Sequence, residues 1–264
     1  MWYLGWIYEN IGLYKWEQSC GESSHVAFFA AGVVLTVIIS YLLGSLNSAI
    51  IVSKIKYKDD IRNYGSKNAG LTNMHRVYGL GAAGYTLLGD ALKTMLSIVF
   101  GSMLFYGMQG AYLGALFCII GHVFPIYYKF RGGKGVLASA VAILMLDPII
   151  FLILLAVFII TVAISRYISL GSVLSGFIYP ALIYVRNQLG TFNESEKIIP
   201  FLFAIFIGLF LIITHRKNLQ RIQQKKENKF SFKKKPQNAS SDNATDEDDD
   251  DTEYVVGTTK KDDE

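Results

Sequence analysis

Seven apolar runs dominate this chain, at about 26–53, 80–106, 110–128, 134–146, 148–164, 171–186 and 197–214. Most are long enough, or nearly so, to cross the roughly 30 Å hydrocarbon core of a bilayer, which takes a helix of about 20 residues. In lipid every backbone N–H and C=O must be paired within its own segment, so such runs fold as helices. Composition agrees, since 52% of the 264 residues are hydrophobic and 17% are charged, too apolar for a soluble domain of this length. The chain is read as all-α, a polytopic membrane helix bundle of about seven transmembrane helices. The fourth run is the shortest, with its apolar stretch confined to Val136–Leu146, which predicts a re-entrant or tilted segment. Asp147-Pro148 divides it from the fifth, because proline cannot continue the ladder and disfavours helix at the residue before it.

The positive charges orient the bundle. The connections 54–80, 128–134 and 165–170 and the segment after 214, up to Lys235, carry 19 of the 25 Lys and Arg, whereas the opposite face holds Lys15, Arg186 and Lys197. Cytoplasmic loops are enriched in these residues, so the N-terminus is expected outside and the C-terminus in the cytoplasm. The location that follows is the inner (plasma) membrane, multi-pass.

Residues 1–25 interleave Trp2, Tyr3, Trp6, Tyr8, Tyr14 and Trp16 with a few charges, a pattern expected of an interfacial segment. No basic region opens it, so a cleaved signal peptide is not expected. Residues 26–227 form the membrane domain. From 228 onward the chain turns to Lys, Ser and Asn and then to acid, with 11 of the 21 Asp and Glu between Asp242 and Glu264, which predicts a disordered cytoplasmic tail. Cys20 and Cys118 fall too far apart in this topology to pair, and no metal-ligand spacing is visible.

Between the spans, two polar clusters favour anions. Asp60–Arg76 reads DIRNYGSKNAGLTNMHR, and Gly121–Gly135 reads GHVFPIYYKFRGGKG. Arg62 and Arg76 are permanent cations with forked donors suited to phosphate, and glycines let backbone N–H groups approach an oxyanion. Lys129, Arg131 and Lys134 flank Gly132-Gly133, although GGKG lacks the longer frame of a nucleotide P-loop. A helix starting near Asn68 would set Thr72 and Arg76 one turn apart on one face, with Ser66 near its N-terminal N–H groups. Two phosphate-friendly clusters on one membrane face point to phosphorylated substrates. Asp90 and Lys93, three residues apart within a span, are read equally as an internal ion pair or a functional pair. His122, before Phe124-Pro125, is read as a packing and kink element.

With these residues in view, the chain resembles the PlsY type of acyl-phosphate:glycerol-3-phosphate acyltransferase, a bacterial membrane family, from about Gly44 to Glu227. GSLNSAIIVSK at 44–54, DIRNYGSKNAGLTNMHRVYG at 60–79, GHVFPIYYKFRGGKGV at 121–136, SRYISLGSVLSG at 165–176 and HRKNLQRI at 215–222 match the family's motifs in order. Asn47 stands where proline is usual, Lys67 and Lys225 where glycine is usual, Leu71 for alanine and Thr94 for the glycine after the Asp90/Lys93 pair. Lys67 is bulkier than glycine and is expected to narrow the site or alter donor preference.

The resemblance implies acyl transfer from acyl phosphate to the sn-1 hydroxyl of glycerol 3-phosphate, the first committed step of phospholipid synthesis. It implies Ser66, Arg76, Lys134 and His215 as catalytic residues, and Asn68, Thr72, Asn73, Gly132, Gly133, Gly135, Ser169 and Asn218 as substrate-binding ones. His215 is either a base or, where a substrate phosphate takes the proton, a binding group; Ser169 is preferred to Ser172, which shares its motif. No cofactor and no metal are expected. The partners are the two substrates and membrane lipid, with no nucleic acid, and the oligomeric state is left open. The second reading is a transporter of an anionic phosphorylated metabolite, which calls for polar residues through the membrane midplane or an internal repeat. None of the four histidines is followed by the aspartate of an H-x-x-x-x-D acyltransferase.

Overall fold

The computed structural model describes residues 25–105, 107–190 and 193–230, together with residues 4, 6, 9 and 10. The chain divides into two units, 1–234, which holds all of these, and 235–264, which lies outside them. The described residues form α1 (His25–Ser45), α2 (Ser48–Tyr57), α3 (Leu71–Tyr78), α4 (Leu80–Leu104), α5 (Met108–Val123), α6 (Val136–Leu146), α7 (Pro148–Ser165), α8 (Ile168–Leu189), α9 (Glu194–Thr214) and α10 (Arg216–Gln223).

Six segments are long and apolar enough to cross a membrane: α1 with α2, α4, α5 with the turn after it, α7, α8 and most of α9. The remaining expected span is α6, whose 11 residues reach about 16 Å at 1.5 Å per residue, roughly half of the hydrocarbon core. It packs among α4, α5 and α7. Asp147 ends it and caps α7, accepting from Ile150 N at 3.4 Å with Pro148 in the first turn, and Arg186 Nη1 holds the other oxygen at 3.0 Å.

The run 26–53 is not one helix. Asn47 caps α2 by accepting from Ile50 N at 3.1 Å, and the Gly44 and Leu46 carbonyls turn instead to the Lys93 ammonium at 3.0 and 2.8 Å. Lys93 thus takes the carbonyls where one helix ends, and Asn47 starts the next.

Along α1, Gly32, Thr36, Ser40 and Gly44 are buried and, four residues apart, share one stripe. A Cβ on Gly44 would fall 2.2 Å from Cys118 O, so α1 and α5 meet backbone to backbone, as small-residue seams allow in lipid. Cys118 is buried and free. The main apolar core lies between α4, α5, α6, α8 and α9, around Ile98, Ile119, Ile143, Tyr179 and Ile207. By contrast, α7 buries Ile150 and Leu154 and exposes Leu152, Ile153, Ile159, Ile160 and Ile164. An apolar surface of that extent suits lipid and not water.

Leu4 of the N-terminal segment is buried in the main core, unlike a purely interfacial residue, and Trp6 is exposed. Apart from residues 9, 10 and 25, the rest of the strip expected over 1–25, and the tail beyond 230, lie outside the described residues. A smaller cluster of Ala49, Ile50, Ile61, Ala69, Met74 and Ala82 supports the first polar motif, beside Tyr57 and Tyr78, whose rings stack at 3.9 Å.

Candidate active site

The first motif leaves the helical path after α2, makes a short turn at Ile61–Asn63 and re-enters a helix at Leu71. The helix begins three residues later than the expected start near Asn68, because Gly70 is extended and Lys67 adopts a left-handed conformation with φ +55. Thr72 and Arg76 still lie one turn apart on α3. Asn73 sets the loop's shape: its Nδ2 donates to the carbonyls of Tyr64 at 2.9 Å, Asn68 at 3.1 Å and Ile61 at 3.3 Å, and its Oδ1 accepts from Ser66 N at 2.9 Å. Both ends of this buried amide are therefore committed to the loop that carries Ser66 and Asn68.

Arg62 corrects the reading of it as a phosphate ligand. Its Nε and Nη2 donate to Asp60 at 2.9 and 2.7 Å, and its Nη1 donates to the carbonyls of Tyr128 and Arg131 at 3.0 Å. The fork is spent on stitching the first motif to the second. Arg76 differs, since among the described residues its one hydrogen bond is a long contact of 3.5 Å to Asn73 Oδ1.

The second motif folds back onto the end of α5. Gly132 N donates to Val123 O and Gly133 N to His122 O, both at 3.1 Å. A Cβ on Gly133 would lie 2.2 Å from His122 Nε2 and 2.7 Å from Ala69 O, so this position accepts no side chain and brings the two motifs into contact. Gly135, with φ +82, turns the chain into α6.

Lys134 projects from this loop to the last motif. Its Nζ donates to Asn218 Oδ1, and its carbonyl accepts from Thr214 Oγ1 at 3.3 Å. Asn218 Nδ2 donates to Glu227 Oε1 at 2.7 Å, Ser169 Oγ to the same oxygen at 3.2 Å, and Arg221 Nε to Oε2 at 2.8 Å. Ser169 thus joins the cluster, while Ser172 donates to the Ile168 carbonyl of its own helix at 2.9 Å, which separates the two serines. His215 Nδ1 meets Leu211 O at 2.8 Å; a carbonyl only accepts, so Nδ1 carries the hydrogen and Nε2 is left as an acceptor.

Electrostatics follow from this packing. Burial, reinforced by Arg221 and Arg76 and opposed by Glu227, pushes the Lys134 ammonium down to about 8. Burial and then the Lys134 charge lower His215 to about 4, so its ring is neutral at pH 7. Burial also lowers Arg76, against the pull of Glu227. For Glu227, burial acts upward but is outweighed by hydrogen bonds from Arg221 and Asn218, which hold the carboxyl below its usual range. Three cations, Arg76, Lys134 and Arg221, therefore lie within electrostatic reach of one carboxylate, an arrangement that can accept further negative charge.

Of the expected site residues, Lys134, His215, Asn218, Ser169 and the glycines 132, 133 and 135 come together, with Arg76 in electrostatic range. Ser66, Asn68 and Thr72 sit on the neighbouring loop and α3; that loop meets the second motif through the Arg62 hydrogen bonds and the contact of Ala69 with Gly133. Glu227 is the residue that motif chemistry missed. It ends the stretch that resembles the family, just after Lys225 and Lys226, but its convergence with Ser169, Asn218 and Arg221 was not read from the sequence.

The glycerol-3-phosphate acyltransferase family model matches residues 34–225. A glycerol-3-phosphate acyltransferase of Finegoldia magna is 41% identical over 202 residues, covering 75% of this chain and 96% of the relative. One from Ureaplasma urealyticum is 34% identical over 245 residues, covering 79% and 96%. Among solved structures, PlsY (YgiH), an integral membrane glycerol 3-phosphate acyltransferase in its glycerol 3-phosphate form, superposes with a TM-score of 0.68 at 27% identity, covering 75% of this chain and 96% of that one. With most of its length matched in sequence and in fold, the chain belongs to the glycerol-3-phosphate acyltransferase family and is an acyltransferase.

Proposed function

We propose that the chain transfers an acyl group from acyl phosphate to the sn-1 hydroxyl of glycerol 3-phosphate, giving lysophosphatidic acid and inorganic phosphate. The observation that carries this reading is the meeting of Lys134, Asn218 and His215 with Ser169 and Arg76 around the Glu227 carboxylate, at one end of an apolar bundle. The relatives' shared name supports the acceptor, as do PlsY structures in glycerol 3-phosphate and lysophosphatidic acid forms.

Both substrates are phosphorylated, and two cations from different motifs match that need. Acyl phosphate carries its own leaving group, so the protein's task is to position the hydroxyl and stabilise charge developing on phosphate and carbonyl oxygens. The sn-1 oxygen bonds to the acyl carbon, the bond from that carbon to the phosphate oxygen breaks, and the hydroxyl proton leaves with a phosphate. His215, at about 4, is a weaker base than a phosphate whose second pKa is about 6. Its Nε2 orients the hydroxyl instead of removing the proton. Neither a protein nucleophile nor a cofactor enters this scheme.

The site belongs to the cytoplasmic face of the inner membrane, because 19 of 25 Lys and Arg fall on that side of the expected topology. A single cysteine at Arg131 should resist an impermeant thiol reagent in intact cells, and one at Asn193 should react; the reverse pattern defeats the assignment. The reaction itself is tested by phosphate release from palmitoyl phosphate in detergent. Release should depend on glycerol 3-phosphate, and its independence of that acceptor would defeat the reading.

A further inference from the structure

We propose that Asp90, Lys93 and His122 form a positioning network that holds the Gly132-Gly133 loop, and with it Lys134, in the geometry that binds phosphate. This inference rests on the reaction proposed above. The sequence offered Asp90 and Lys93 as an ion pair and His122 as a packing residue. In the fold all three are buried at one point between α1, α4 and α5.

Lys93 Nζ lies 2.9 Å from Asp90 Oδ1, 3.0 Å from Gly44 O, 2.8 Å from Leu46 O and 3.0 Å from His122 Nδ1. Four polar atoms surround an ammonium that has three hydrogens, and His122 Nδ1 also lies 3.7 Å from Asp90 Oδ1, so the Nδ1 edge of the ring is held in this polar cluster and the opposite edge carries Nε2. That edge of the ring lies against Gly133, filling the place of a Cβ. The loop is also tied to the same turn of α5 through Gly133 N and His122 O at 3.1 Å. On the other side, Ala69 O faces Gly133 and accepts from Asn47 Nδ2 at 3.3 Å, while Asp90 Oδ1 is 3.4 Å from Ser48 N at the start of α2.

The network therefore touches the residue before Lys134 and the break between α1 and α2, and Asn47 at that break bonds Ala69, the residue after Asn68. Apolar side chains would pack three helices without the desolvation that buried charges require. Among the described residues Asp90 Oδ2 has no hydrogen-bond partner, a further cost in a membrane-spanning segment. What the polar cluster supplies is a fixed direction for His122, and hence a fixed seat for the loop. Displacing a binding group by about 1 Å can cost on the order of 100-fold in rate.

The test uses the full-length protein in detergent and the dissociation constant of glycerol 3-phosphate, which needs no turnover. His122→Asn keeps a polar group toward Lys93 and Asp90, His122→Leu removes it at similar volume, and Lys93→Met removes the ammonium. His122→Leu and Lys93→Met should weaken binding about tenfold or more in protein that elutes as folded, with His122→Asn within about threefold of wild type. Binding within threefold of wild type in His122→Leu, an Asn variant as weak as the Leu variant, or a His122→Leu that no longer folds overturns the proposal. If Lys93→Met does not fold, the His122 pair alone decides. Wild-type protein that fails to bind glycerol 3-phosphate defeats the functional reading, a result distinct from normal wild-type binding with indifferent variants, which defeats only the network.

Discussion

Lys134 Nζ donates to Asn218 Oδ1, and this hydrogen bond closes the glycine loop after α5 onto the first turn of α10. Two motifs 84 residues apart in sequence thereby share one polar site, and Arg76, from a third, faces the same Glu227. A membrane-anchoring role for these cations would need only charge, whereas substrate binding needs a defined donor in a defined place.

The two roles separate on substitution. Arg76→Lys preserves the charge and removes the planar fork, and Lys134→Ala removes the ammonium. Each should lower kcat/KM for glycerol 3-phosphate by about 10- to 150-fold, the equivalent of roughly 1.5–3 kcal/mol for a charge-assisted hydrogen bond. Lys129→Ala, on an exposed side chain of the same loop, is the matched control and should stay near wild type. Steady-state rates at limiting acceptor read the difference, and near-normal rates in both site variants would make these residues anchors.

Lys134 also sets a pH limb. Its ammonium, depressed to about 8 by burial, is present below that value and lost above it, so kcat/KM for a phosphorylated acceptor should hold below about pH 8 and fall about tenfold per unit above it. Lys134→Arg keeps its charge across this range. Whatever activity that variant retains should therefore lack the limb; the same limb in Lys134→Arg would assign it to another group.

Two of the chain's departures from the family pattern have a conformational reading. Lys67 and Lys225 stand at positions where glycine is usual, and their φ values are +55 and +57. A left-handed conformation costs a side-chain-bearing residue about 1–2 kcal/mol, partly offset by the greater backbone entropy that glycine loses on folding. Both side chains are exposed, so Lys67→Gly and Lys225→Gly should each stabilise the protein by about 0.5–1 kcal/mol. The thermal midpoint in detergent measures this, and a lowered midpoint in either variant would contradict it.

The helical membrane bundle and the break at Asp147-Pro148 were legible in the chain, because hydropathy and proline positions are local properties, and motif order pointed to the segments that carry Lys134, Ser169, His215 and Asn218. What was not legible depends on partners distant in sequence. Arg62 reads as a phosphate ligand until Tyr128 and Arg131 take its Nη1, and nothing in the motif itself shows that the Asn73 amide ties Tyr64 and Ser66 of its own loop together. The break between α1 and α2 depends on Lys93, 47 residues beyond Leu46, turning to that carbonyl. Glu227 ends the stretch that resembles the family, but its place in the site was not legible because nothing in a run of lysines shows that Ser169, Asn218 and Arg221 will converge on it.

Donor choice tests the central claim most directly. Purified protein in detergent would receive glycerol 3-phosphate with palmitoyl phosphate, palmitoyl-CoA or palmitoyl carrier protein in parallel, and products would be identified by mass spectrometry alongside phosphate release. Palmitoyl phosphate alone should give 1-acyl lysophosphatidic acid, with phosphate released in equal amount. Product from the thioester donors and none from palmitoyl phosphate would contradict the account.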